Sequence, residues 1–109
     1  MATTISGAGP HLSARVAMDA TPGNVERVTL PPWVRVLTVT FLQSDGSADT
    51  GKIAWSGTDG AAIGNEHFPI ASGAAYSYAV RSSRTKRPVH VVYIAGGTAS
   101  GFAHVHCEA

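Results

Sequence analysis

The sequence predicts an all-β fold, an antiparallel β-sandwich or jelly roll of about seven or eight strands. Three observations lead there. Short segments rich in Val, Ile, Phe, Tyr and Thr recur along the chain, Gly, Pro and Asp-Gly turn chemistry separates them at near-regular spacing, and no segment reads convincingly as a helix.

Taken in order, residues 1–12 are small and polar, and Gly7, Gly9 and Pro10 work against regular structure. They are expected to form a flexible N-terminal arm whose order comes from neighbouring molecules, leaving residues 13–109 as one domain. A first strand is expected from Ser13 to Met18, closed by the Thr21-Pro22-Gly23-Asn24 turn. Val25, Arg27 and Val28 begin a second extended piece that stops at Pro31-Pro32. Trp33 to Leu42 carries the strongest strand signal. Its apolar phase shifts between Val36 and Leu37, which predicts a bulge or burial on both faces.

Asp45-Gly46 and Asp59-Gly60 are turn pairs flanking a strand around Lys52 to Trp55. Strands then follow at His67 to Ile70, at Ala75 to Val80 with Tyr76, Tyr78 and Val80 in period two, at Val89 to Ile94 and at Phe102 to Cys107. The expected core is Val36, Leu37, Val39, Phe41, Ile53, Val89, Val91 and Val105.

Composition narrows the function. Hydrophobic residues are 44% of the 109, charged residues only 14%, and the net charge is +1. An average domain carries about 25% charge, so the exterior here is neutral, built of small residues and cheap to desolvate against a partner. Nothing in the balance steers the molecule toward nucleic acid or an anionic membrane. The basic cluster Arg81, Arg84, Lys86 and Arg87 reads first as a solvated inter-strand loop; with His11 it supplies the candidate interaction residues for an acidic partner surface. Cys107 is the only cysteine, so no intrachain disulfide forms. The first residues show neither the basic nor the apolar region of an export signal, and no apolar run approaches the length of a membrane span, so the expectation is a chain made and folded in a reducing cytoplasm.

Five histidines invite a search for a metal site. His104 and His106 are two apart and share a face on a strand. If the final two strands pair so that Val91 and Tyr93 oppose Val105 and Ala103, His90 joins them, and three imidazoles can bind zinc with an open fourth position. The His-x-His pair resembles cupin metal sites, but their glutamate and second motif are not in the sequence. Without metal, these histidines line a polar outer or inter-subunit face, where mild acid would charge them and weaken association.

Nucleophile patterns fail. Gly97-Thr98-Ala99-Ser100-Gly101 lacks the Gly-x-Ser-x-Gly spacing. Cys107, in a strand-like run, has no helix N-terminus to activate it. Asp45, Asp49 and Asp59 read as turn formers, and the glycine-rich stretch 57–64 has no Lys-Ser/Thr for a phosphate loop. Aromatic side chains at strand spacing read as core, whereas a line of exposed Trp and Tyr would suit a sugar platform.

The stretch Ile53-Ala54-Trp55-Ser56-Gly57-Thr58-Asp59-Gly60-Ala61-Ala62-Ile63-Gly64, followed by Phe68-Pro69-Ile70 and Tyr76-Ser77-Tyr78, resembles the small virion structural proteins of tailed bacteriophages. The closing run from Val91-Val92-Tyr93-Ile94-Ala95 through Val105 is similar in texture, so the likeness spans residues 33–107. It implies a β-sandwich or jelly roll that decorates a capsid or sits in a neck or tail. It further implies a virion location, homo-oligomerisation, other virion proteins as partners, no cofactor and no enzymatic activity. No site residues carry over. A carbohydrate-binding module is the alternative from a different class, and histidine-ligated metal binding a more distant one.

Overall fold

Nine strands in two sheets account for the regular structure of residues 2–80 and 91–109, the part of the chain that the computed structural model describes. They are β1 (Thr3–Thr4), β2 (His11–Ala17), β3 (Glu26–Thr29), β4 (Val36–Leu42), β5 (Gly51–Ala54), β6 (Phe68–Ile70), β7 (Ala75–Ala79), β8 (Val91–Gly96) and β9 (Phe102–Glu108). One sheet has the order β1-β3-β8-β5-β6 and the other β2-β9-β4-β7. There is no helix among the described residues.

The topology is that of a jelly roll. β2 pairs with β9, β3 with β8, β4 with β7 and β5 with β6, all antiparallel. That is one long ribbon, β2 to β5 running out and β6 to β9 running back, rolled up so that alternate rungs fall in opposite sheets. The pairs β4–β9 and β5–β8 close the roll within each sheet. The connections β2–β3, β4–β5, β6–β7 and β8–β9 therefore gather at one end. Backbone bonds from Met18 N to Gly101 O, Gly23 N to Gly96 O and Gly97 N to Thr50 O stitch that end together.

Period-two alternation places the core. In β4 Leu37, Val39 and Phe41 point inward and are buried, as are Ala103, Val105 and Cys107 of β9, meeting Val28, Ile53, Val92 and Ile94 from the facing sheet. Of the expected core, Leu37, Val39, Phe41, Ile53 and Val105 are inside, whereas Val36 and Val91 are half-buried on outer faces and Val89 lies outside the described residues. β4 alternates without interruption, so the phase shift at Val36–Leu37 is neither a bulge nor two-sided burial. Val34 is buried ahead of the strand, in the turn that begins at Pro31, and Val36 belongs to the outer face.

Within the segment expected as an arm, residues 2–12 are described and differ from that expectation. Thr3 and Thr4 pair in parallel with Val28 and Thr29, Ile5 is buried and its N–H donates to Thr29 O. The Thr3 hydroxyl donates to the buried carboxylate of Glu26, Trp33 Nε1 donates to Gly7 O at 2.9 Å, and His11 and Leu12 already belong to β2. The order of this segment comes from its own domain. A two-residue strand without periodicity leaves no mark in a sequence.

Candidate functional site

The two outer faces are not equivalent. On the β1-β3-β8-β5-β6 sheet, Ala54 and Ala95 point away from the core yet are buried, Arg27 and Lys52 on the same side are exposed, and the segment after β5 folds back against β3 and β8. Val25 N donates to Ala61 O, Ile63 N to Gly23 O and Arg27 N to Asp59 Oδ1, while Gly57 packs at the Tyr93 ring. The outer face of β2-β9-β4-β7 is open instead. His11, Ser13, Arg15 and Ala17 of β2, His104 of β9, and Ala75, Ser77 and Ala79 of β7 are all exposed.

Register arranges that open face in rows across the four strands. His11, Glu108, Val36 and Ala79 form one row, Ser13, His106, Thr38 and Ser77 the next, and Arg15, His104, Thr40 and Ala75 the third. Its polar groups largely satisfy one another. Ser13 Oγ lies 2.8 Å from His106 Nδ1, Thr38 Oγ1 lies 2.8 Å from Ser77 Oγ, and Thr40 Oγ1 donates to Ala74 O. The Arg15 guanidinium stacks over Phe102 at 3.7 Å. A shallow saddle of about 350 Å³ crosses the middle of the face between Arg15, Thr40, His104 and His106.

Of the sequence-predicted residues, His104 and His106 do share this face. The strand pairing expected to bring His90 beside them does not occur. β8 lies between β3 and β5, with Val91 opposite Thr29, and β9 lies between β2 and β4 in the other sheet. Both strands bury an apolar side, Val92 and Ile94 on one, Ala103, Val105 and Cys107 on the other. Those sides meet across the sandwich instead of lying side by side. His90 itself lies outside the described residues, as do Arg81, Arg84, Lys86 and Arg87. His11, expected in a docking arm, is on β2 opposite Glu108, with its ring stacked on His106 at 5.6 Å.

A second feature sits where β6 and β7, the edges of the two sheets, approach each other. Trp55, Phe68 and Tyr76 are exposed, and Tyr78 joins them through an edge-on contact with Trp55 at 5.3 Å and a tilted one with Phe68 at 6.3 Å. Burial, and then the neighbouring Tyr76, hold the Tyr78 hydroxyl above its ordinary pKa. At the loop end a groove of about 630 Å³ runs between Pro22, Lys52, Pro69, Tyr76 and Gly97.

The remaining polar candidates have structural roles. Asp45 accepts from the backbone and hydroxyl of Ser47, and these bonds hold its carboxyl below the usual range. Arg27 N–H does the same for Asp59. Gly46 and Gly60 supply the positive φ that these Asp-Gly turns need. Cys107 is fully buried, and burial pushes its thiol up. A disulfide reagent at pH 8 is expected to react with the native thiol roughly a thousandfold or more slowly than in denaturant, since reaction waits on opening of the domain. The linkage has a definite sign. The unfolded thiol ionises first, so stability falls as pH rises past its ordinary value near 9. Reaction at equal rates in both states would contradict the burial.

No protein-family model, curated protein or solved structure matches this chain.

Proposed function

We propose that this protein is a non-enzymatic structural component of a tailed-phage virion, a capsid decoration or a neck or tail element, which packs against neighbouring subunits through the open β2-β9-β4-β7 face. The observation that carries the reading is the asymmetry of the sandwich. On one sheet the chain's own segment lies against part of the outer face and Arg27 and Lys52 stand exposed beside it, while the other presents Ala, Ser, Thr, Val and imidazole side chains with Arg15 and Glu108 as its full charges. Such a face loses little on desolvation and is bonded within itself, which suits contact with another protein.

Four strands about 4.8 Å apart and about seven residues long give roughly 450 Å². That is about half of what one partner contributes to a standard interface. A face this size holds a subunit best when other contacts act with it, as in a shell or a tail ring. The likeness of residues 33–107 to small virion proteins supports the same reading.

Thr38 lies in the central row of the face, so Thr38→Lys buries an unpaired charge in any interface formed there. Sedimentation of the pure protein, and co-sedimentation with assembled virion particles, should show association weakened at least about tenfold. The melting temperature should change little, because the site is on the surface. A wild-type protein that stays monomeric at high concentration and binds no particle would overturn the proposal.

One observation favours a carbohydrate-binding module as the second reading: the exposed Trp55, Phe68 and Tyr76 at the β6–β7 side. A glycan array separates the two. Specific signals abolished by Trp55→Ala, with association untouched, would select the sugar platform.

A further inference from the structure

We propose that His11, His106 and Glu108 form a divalent-cation site, a two-histidine, one-carboxylate donor set that takes zinc, at the β2–β9 edge of the open face. The strand register assembles it. His11 lies directly opposite Glu108, and His106 precedes Glu108 by two residues on the same side of β9. One donor atom from each lies within 4.8 Å of the other two. His106 Nε2 and Glu108 Oε1 are 3.4 Å apart. Two ligands each about 2 Å from a tetrahedral zinc stand about 3.4 Å apart, so this pair already has the separation that the ion requires.

Ser13 gives the His106 ring a partner in its ligating tautomer. Ser13 Oγ sits 2.8 Å from Nδ1 of His106. When Nδ1 carries the proton and donates it to Ser13, the lone pair of Nε2 faces Glu108, the orientation that an outer hydrogen bond gives a metal-bound histidine. A lone pair and a carboxylate oxygen facing each other repel, and a cation between them turns the contact favourable. His11 brings the third donor, its ring lying 22° from the plane of His106. Side-chain exposures of 37% for His106 and 42% for Glu108 leave further coordination positions open to water. The cation Arg15 is two residues beyond Ser13 and is held over Phe102. His104, opposite Arg15, is outside the donor group.

Tag-free protein stripped with chelator and titrated with zinc chloride tests the site by calorimetry and by melting temperature. One zinc per chain is expected, with a higher melting temperature that chelator reverses. His11→Ala and Glu108→Ala should each weaken binding about tenfold or more, Ser13→Ala should weaken it about tenfold through the outer hydrogen bond, and His104→Ala should leave it unchanged. Circular dichroism checks that these outward-facing variants keep the β signature. The proposal is overturned by the absence of both heat and melting shift at millimolar zinc. It is equally overturned by binding that survives both His11→Ala and Glu108→Ala, by equal loss in His104→Ala, or by one zinc shared between two chains.

Discussion

Replacing Gly51 with alanine is expected to cost about 2–3 kcal/mol of stability, although alanine is ordinarily the better residue within a strand by about 0.5–1 kcal/mol. The sign is decided by one contact. Gly51 opens β5 and faces inward, and a Cβ there would stand 2.2 Å from the ring of Phe41. Phe41 is 1% exposed and held by β4 between β7 and β9, so it cannot swing away. For a domain of this size the loss corresponds to a fall in melting temperature of roughly 10–15 °C. Phe41→Ala alone should cost about 3–5 kcal/mol through the cavity it leaves. The discriminating variant is Phe41→Leu combined with Gly51→Ala. The smaller side chain makes room for the new methyl, so the pair should be more stable than the sum of the single losses by about 1 kcal/mol or more. Urea melts of the four proteins measure this, and a Gly51→Ala protein as stable as the parent would refute the close approach.

Gly51 also shows what a sequence withholds. The eight longer strands could be read from it because each obeys a local rule: Leu37, Val39 and Phe41 alternate, and Asp45-Gly46 and Asp59-Gly60 punctuate. Which strand lies beside which is not a local property. His11 and Glu108 meet only because the first and last strands of the rolled ribbon pair, and nothing within either segment announces it. For the same reason the sequence put His90 beside His106. Adjacent strands in sequence are the natural pair, but here the β8–β9 connection crosses from one sheet to the other. His104 and His106 were legible as a same-face pair, because two-residue spacing on one strand is enough. The open character of their face was not legible, since it depends on which sheet the segment at residues 57–63 folds against, and that segment packs on β3 and β8 of the other sheet.

The β4–β5 and β8–β9 connections depend on Asp49, and Asp49→Ala is expected to cost about 2–4 kcal/mol. The sequence suggests a turn former at this position, and the side chain does accept from the next backbone N–H, Thr50 N at 2.8 Å. It is nevertheless 5% exposed, and its second oxygen accepts from Thr98 Oγ1 at 2.8 Å, across the gap between the two connections. A bond to a buried carboxylate contributes more than one between neutral groups, about 1.5–3 kcal/mol, and truncation takes the acceptor from both the Thr98 hydroxyl and the Thr50 N–H. The glycine run alongside follows from the same packing. A Cβ at Gly97 would meet Thr50 Oγ1 at 2.3 Å and Asp49 Oδ1 at 2.9 Å, and one at Gly101 would meet Leu42 O at 2.7 Å. Those glycines let two loops approach a buried acid; they cradle no phosphate. Asp49→Asn keeps an acceptor oxygen for one of the two donors and should lose less than Asp49→Ala. Thr98→Val should lose about 1–2 kcal/mol, and combining it with Asp49→Ala should add little, because both remove the same bond. Hydrogen exchange locates the effect. The Gly97 amide, which donates to Thr50 O at 3.0 Å, should lose protection in Asp49→Ala beyond the global loss, while amides of the β3–β8 ladder follow global stability alone. Uniform loss along the whole chain would mean that the acid is not a local tie between these loops.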